Sequence, residues 1–105
     1  MYQYNATVVR WVDGDTVILD VDMGFYLWQK NLHFRLNRVN TPERGQPRFD
    51  EAVKIVNELA PVGSRVVINT YKEDKYGRWL CDIMDAKGQV QINQILLEYG
   101  WVYNG

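Results

Sequence analysis

The sequence predicts a mainly β protein, a five-stranded barrel with two helices. Three observations carry that reading. Five short runs read as strands, the first rich in β-branched residues and the third alternating apolar with polar positions, the period of a half-buried strand. Two other stretches carry apolar residues at helical spacing. Their order is strand, strand, strand, helix, strand, strand, helix. Three meandering strands, a connecting helix and two more strands are what an oligonucleotide-binding (OB-fold) barrel needs. An open five-stranded sheet with helices on one face is the alternative.

Residues 6–13, ATVVRWVD, form the first strand. Asp13-Gly14 is a strong hairpin signal and turns the chain. Residues 16–22 form the second strand, with Val17, Leu19 and Val21 on one face and Asp20 and Asp22 on the other. Gly24 to Asn31 reads as a long connection. Its apolar run Phe25-Tyr26-Leu27-Trp28 predicts a packed flap or a self-association surface. The third strand is 32–38. Pro47 suits the first turn of a helix, and Phe49, Ala52, Val53, Val56, Leu59 and Ala60 share one stripe, so 47–60 is an amphipathic helix. Asp50 and Glu51 favour its positive end, and Pro61 and Gly63 stop it. Strands follow at 65–71 and 79–84, separated by a polar loop around Gly77. Residues 91–99, with Ile92, Ile95, Leu96 and Tyr99 on one stripe, form the second helix, ended by Gly100.

A chain of 105 residues buries one core, so a single domain over 1–105 is expected. Four Trp and seven Tyr argue against disorder. The net charge of −1 does not itself advertise nucleic-acid binding. Its distribution says more: Lys30, Arg35, Arg38, Arg44 and Arg48 face only Glu43 in that stretch, a local basic surface of the kind that meets phosphates. Cys81 is the single cysteine, which excludes a disulfide framework and a thiolate metal site, and a buried position suits it. MYQYNATVV lacks the pattern of a secretion signal, and no apolar run reaches the ~20 residues of a membrane span. A cytoplasmic location is the expectation.

Phe34 to Glu43, FRLNRVNTPE, organises the rest. Phe34 and Leu36 alternate with Arg35, and Pro42 pins a corner that ends the strand. Arg35, Asn40, the Thr41 carbonyl and Glu43 are therefore expected close together. A cation beside hard oxygen donors suits a phosphate and a divalent metal; an ordinary turn with a surface ion pair is the bland reading. Asp13 and Asp15 add two carboxylates on a turn, either turn formers or ligands of a hard cation. A carboxylate can deprotonate a water in phosphodiester hydrolysis, and the planar arginine fork can bind two phosphate oxygens. Arg35 and Arg78 are best placed for that. His33, alone on its strand, is assigned no role. No serine or cysteine nucleophile motif is present.

Three motifs taken in order resemble the staphylococcal-nuclease-like (thermonuclease) family: Asp13-Gly14-Asp15-Thr16, then Phe34-Arg35-Leu36 leading to Asn40-Thr41-Pro42-Glu43, then Asp74-Lys75-Tyr76-Gly77-Arg78. The likeness runs from about residue 6 to 103. It implies an OB-fold barrel and calcium-dependent hydrolysis of DNA and RNA with little sequence preference. It assigns Asp15, position 40 and the Thr41 carbonyl to calcium, and Glu43 to the attacking water. Arg35 and Arg78 fall on the scissile phosphate, and Lys75 and Tyr76 on the neighbouring phosphate and nucleotide.

The sequence departs from the family at three places. Asn40 stands where the family has aspartate, which removes one ligand charge and predicts weaker calcium binding. The connection after the second strand is longer and more apolar. The chain stops where the family continues into a further helix, and lower stability is expected from the missing packing surface. Two alternatives to a nuclease remain open. One is a catalytically silent or weak nucleic-acid-binding module. The other is a small assembly protein that uses Phe25 to Trp28 as its interface. Retention of Arg35, Glu43 and Arg78 favours the enzyme.

Overall fold

A computed structural model describes residues 2–73 and 75–103. Five strands and two helices follow the expected order: β1 (Tyr2–Trp11), β2 (Thr16–Gly24), β3 (Leu27–Leu36), α1 (Phe49–Leu59), β4 (Arg65–Glu73), β5 (Trp79–Asp85) and α2 (Ile92–Glu98). The strands close into a barrel in the order β1-β2-β3-β5-β4, with β4 returning to β1. All pairings are antiparallel except β3 with β5, which is parallel and runs through only three residue pairs, Phe34–Trp79, Arg35–Leu80 and Leu36–Cys81. The barrel reading is correct, and the open sheet is not adopted.

The core is built from the alternating positions. Val17, Leu19, Val21, Phe34 and Leu36 point inward from β2 and β3, and Val66, Ile68, Cys81 and Ile83 from β4 and β5. Ala52 and Val56 of α1 and Ile92 and Leu96 of α2 cap the barrel. Each such aliphatic side chain contributes about 1.5–3 kcal/mol through burial. Trp11 ties β1 to the end of α1, its indole N–H donating to the Ala60 carbonyl at 2.9 Å. One of the buried polar residues is Asn93 on α2. Its Oδ1 accepts from the Ile83 N–H at 2.8 Å, and its amide donates to the Asn37 and Cys81 carbonyls at 3.2 and 3.1 Å. It thus pins the short parallel seam between β3 and β5.

The structure moves the first strand to begin at Tyr2, not residue 6, and corrects two further readings. β3 begins at Leu27, not residue 32, so the long 24–31 connection does not exist. β2 and β3 instead make an arm closed by Phe25 and Tyr26, both left-handed at φ 54 and 62. That geometry usually recruits Asn-Gly, so two aromatics there give no turn signal. The tip side chains are fully in water, Phe25 at 94% and Tyr26 at 100% exposure. No packed flap forms, and exposure by itself does not support self-association. A bulge at the arm's base is held by Asp20, which accepts from the Asn31 N–H at 2.9 Å and pairs with Lys30 at 3.5 Å. The second correction is the start of α1. Pro47 lies before the helix, and Arg48 is left-handed at φ 70.

Candidate functional site

The corner after β3 is threaded between two distant pieces of chain. Val39 is fully buried and bridges to Val102; the Asn40 N–H donates to the Trp101 carbonyl at 3.0 Å. The Arg38 carbonyl accepts from the Tyr103 N–H at 2.9 Å. On the other side, the Thr41 N–H donates to Asp15 Oδ2 at 3.0 Å. The segment after α2 and the β1–β2 connection therefore hold the corner like two jaws.

Gly14 makes the second jaw possible. A Cβ on Gly14 would lie 2.7 Å from Thr41 Oγ1 and 2.9 Å from Ala52 Cβ. Its φ is not in the left-handed region, so glycine is needed here for close approach rather than for a hairpin turn. The Thr41 hydroxyl packs into this contact and has no hydrogen-bond partner.

Arg35 sits at the centre. Its Nη1 lies 3.1 Å from Asp15 Oδ2, and its Nη2 donates to the Val39 carbonyl at 3.0 Å and, weakly, to Asn40 Oδ1 at 3.5 Å. The Tyr103 ring covers the guanidinium at 5.4 Å. Asp15 is buried, and its Oδ1 also accepts from the Thr16 hydroxyl at 3.1 Å. Asp13 receives the Asp15 N–H at 3.0 Å. Burial first, and then the adjoining Asp15 carboxylate, pushes the Asp13 carboxyl up to about 6.

These groups open into a cleft of about 660 Å³. Seven of the eight residues singled out in the sequence line it: Asp15, Arg35, Asn40, Glu43, Lys75, Tyr76 and Arg78. The eighth, Thr41, is buried behind it. Glu43 is exposed on a turn closed by Gln46, whose side-chain oxygen accepts the Glu43 N–H at 2.6 Å. Among the described residues, no hydrogen bond or ion pair holds the Glu43 carboxylate. Lys75 and Arg78 lie over the Tyr76 ring at 5.2 and 5.3 Å. Asp74 of the same motif lies outside the described residues.

The basic run from Lys30 to Arg48 is not one patch. Of it, Arg35 and Arg38 line the cleft. Lys30 pairs with Asp20 on the arm, and Arg48 lies over Trp101 and pairs with Glu51. Sequence reasoning missed Arg38 and Tyr103 as cleft residues. Arg38 belonged to the basic run, but no period gave its direction. Tyr103 follows the last helix with no pattern at all.

The donor chemistry is all oxygen. Asp15 Oδ2, Asn40 Oδ1 and the Val39 carbonyl already converge on a positive charge, the Arg35 guanidinium. Carboxylate, amide and carbonyl oxygens are the donors of calcium-type cations. The described residues contain no group of three His, Cys, Asp or Glu that could hold a metal. The oxygen donors are of the type hard cations take, and in this structure they are engaged by Arg35.

A family model described as staphylococcal nuclease homologue matches residues 33–104. The match covers about two thirds of the chain. It takes in the corner, the Lys75–Arg78 connection and Tyr103, while Asp13 and Asp15 precede it. A comparison with curated proteins finds no match.

Proposed function

This chain belongs to the staphylococcal nuclease homologue family, and from that premise we propose that it hydrolyses phosphodiester bonds of DNA and RNA with little sequence preference, using calcium. One observation carries the reading. The Glu43 carboxylate, which no described group engages, opens into the same cleft as Arg35, Lys75 and Arg78.

In this reading Glu43 accepts a proton from water, whose oxygen bonds to phosphorus as one P–O ester bond breaks; the bonding pair stays on the departing oxygen, which takes a proton from solvent. Arg35 and Arg78 bind the phosphoryl oxygens and stabilise their growing charge. Arg35 can do so while it stays anchored, because its guanidinium has five N–H donors and three named protein acceptors. Lys75 binds the neighbouring phosphate, and Tyr76 meets the nucleotide. Asp15, Asn40 and the Thr41 carbonyl would hold calcium. When bound, that ion supplies positive charge at the phosphoryl oxygen.

The competing reading is a silent nucleic-acid-binding module. Asn40 favours it, because an amide brings no ligand charge to the cation. Cleavage of single-stranded DNA, with calcium titrated from zero, decides between the two. The enzyme reading expects calcium-dependent cleavage that Glu43→Ala and Arg35→Ala abolish. Binding without cleavage at any calcium level moves the assignment to the silent module.

A further inference from the structure

We propose that a second groove beside the cleft binds unpaired nucleobases of the strand whose phosphate enters the cleft; this rests on the phosphodiesterase reading above. The groove follows from how the barrel closes. β3 and β5 pair through three residues only, and residues 27–33 of β3 have no partner on β5. On the far side, the β4–β5 ladder is irregular between Thr70 and Glu73. The β2–β3 arm and the β1–β4 edge line opposite walls of an opening of about 990 Å³. That is at the large end of ligand pockets, which span about 300–1,000 Å³.

Its lining is suited to flat rings. Tyr2, Tyr4, Tyr71 and Trp79 present aromatic side chains, Tyr2 at 71% and Trp79 at 41% exposure. Such faces stack on any base, which gives affinity without sequence choice. Tyr71 is fixed in place, its hydroxyl donating to Asp82. Charge agrees with a nucleic-acid occupant: among the described residues Lys72 lines the groove and no carboxylate does. Continuity makes the same point, since Asn37 and Leu80 line both the groove and the cleft. Leu80 sits in register beside Arg35, so the groove begins one residue from the cleft's central cation. A strand with its phosphate at Arg35 can therefore lay its flanking bases into the aromatic wedge. Paired bases, already stacked in a duplex, have no free faces to offer.

The test measures binding of the full chain to two nuclease-resistant, phosphorothioate-linked octamers, one of thymidine and one abasic. The thymidine strand should bind at least about tenfold tighter, the effect of stacking on one aromatic. Tyr2→Ala and Trp79→Ala should each remove most of that difference, and Trp79→Phe should keep it. Affinity for the abasic strand should change less than about twofold, which also reports intact folding. Equal binding of both strands by the wild-type chain overturns the groove and leaves the phosphodiesterase reading standing. Binding of neither strand overturns both. A preference for thymidine that survives both alanine variants places the bases elsewhere. A dimer in sedimentation that Trp79→Ala dissociates assigns the groove to a second copy instead.

Discussion

The Arg35 guanidinium lies 3.1 Å from the carboxylate of Asp15, and both side chains are largely shielded from water, at 15% and 6% exposure. Asp15 stands just before β2 and Arg35 late in β3, and the antiparallel pairing of Thr16 with Arg35 brings them to the same end of the two strands. Their pairing makes each one structural as well as a candidate for function. Removing one partner of a buried ion pair leaves a stranded charge and costs about 3–5 kcal/mol. Arg35→Ala should therefore lower stability by roughly that amount as well as abolish cleavage, as urea unfolding will show. Asp15→Ala with Arg35→Ala should cost less than the sum of the two single changes. Additive costs would mean that the pair is not coupled.

Gly14 gives a test of the β1–β2 connection. A methyl group there meets Thr41 and Ala52 at less than 3 Å. Overpacking of that kind costs about 1–3 kcal/mol. Gly14→Ala should lower the melting temperature and also loosen the Asp15 contact to the Thr41 N–H. Thermal unfolding, with amide exchange at Thr41 as the local readout, checks both. Unchanged exchange at Thr41 would separate the glycine from the site.

Thr41 should behave in the opposite way. Its buried hydroxyl has no partner, and an unsatisfied hydroxyl costs about 1–3 kcal/mol. The residue's backbone N–H, not its hydroxyl, makes the contact to Asp15. Thr41→Val should raise stability by about 1 kcal/mol, or about 4–8 °C in Tm for a domain of this size. Calcium affinity should be unchanged in calorimetry. A lower Tm would show that the hydroxyl has a role the packing does not reveal.

Asn40 sets the predicted weakness toward calcium. Its Oδ1 faces Arg35 Nη2 at 3.5 Å. Asn40→Asp adds a ligand charge and should tighten calcium binding by about tenfold. Calorimetry and the calcium level at half-maximal cleavage should move together. A calcium affinity unaltered by the change would remove Asn40 from the ligand set.

Cys81 offers a pH test away from the cleft. It is fully buried, and burial raises its thiol above the ordinary value of 9.0. The folded chain thus keeps the proton when the unfolded chain has lost it. This contribution to stability is fully present below 9.0 and is lost as pH rises toward the folded value. Cys81→Ala should show a smaller fall in urea midpoint between neutral pH and about pH 10 than the wild-type chain. In the folded wild-type chain the thiol should resist disulfide reagents until urea is added.

Much of the barrel was legible because its strands bury one face each. Leu19 and Val21 alternate with Asp20 and Asp22, and that alternation is a direct record of which side meets the core. The helical stripes of Ala52 and Val56, and of Ile92 and Leu96, report burial in the same way. The arm was not legible. Both its faces stand largely in water, so no alternation marks it as strand, and Phe25 and Tyr26 occupy turn positions that favour Asn and Gly. The candidate site residues came from the family's motifs together with residue chemistry, and seven of the eight line one cleft.

Sequence alone determined the element order, the inward faces, and the candidacy of Arg35, Glu43 and Arg78, since periodicity and residue type are local properties. Tertiary structure decided that Arg35 is anchored on Asp15, that Tyr103 covers it, and that Asn93 pins the β3–β5 seam. It also decided that the barrel closes through three pairs and leaves an aromatic wedge beside the cleft. Each of these joins residues far apart in the chain. Such contacts depend on the register and closure of distant strands, which no local pattern encodes.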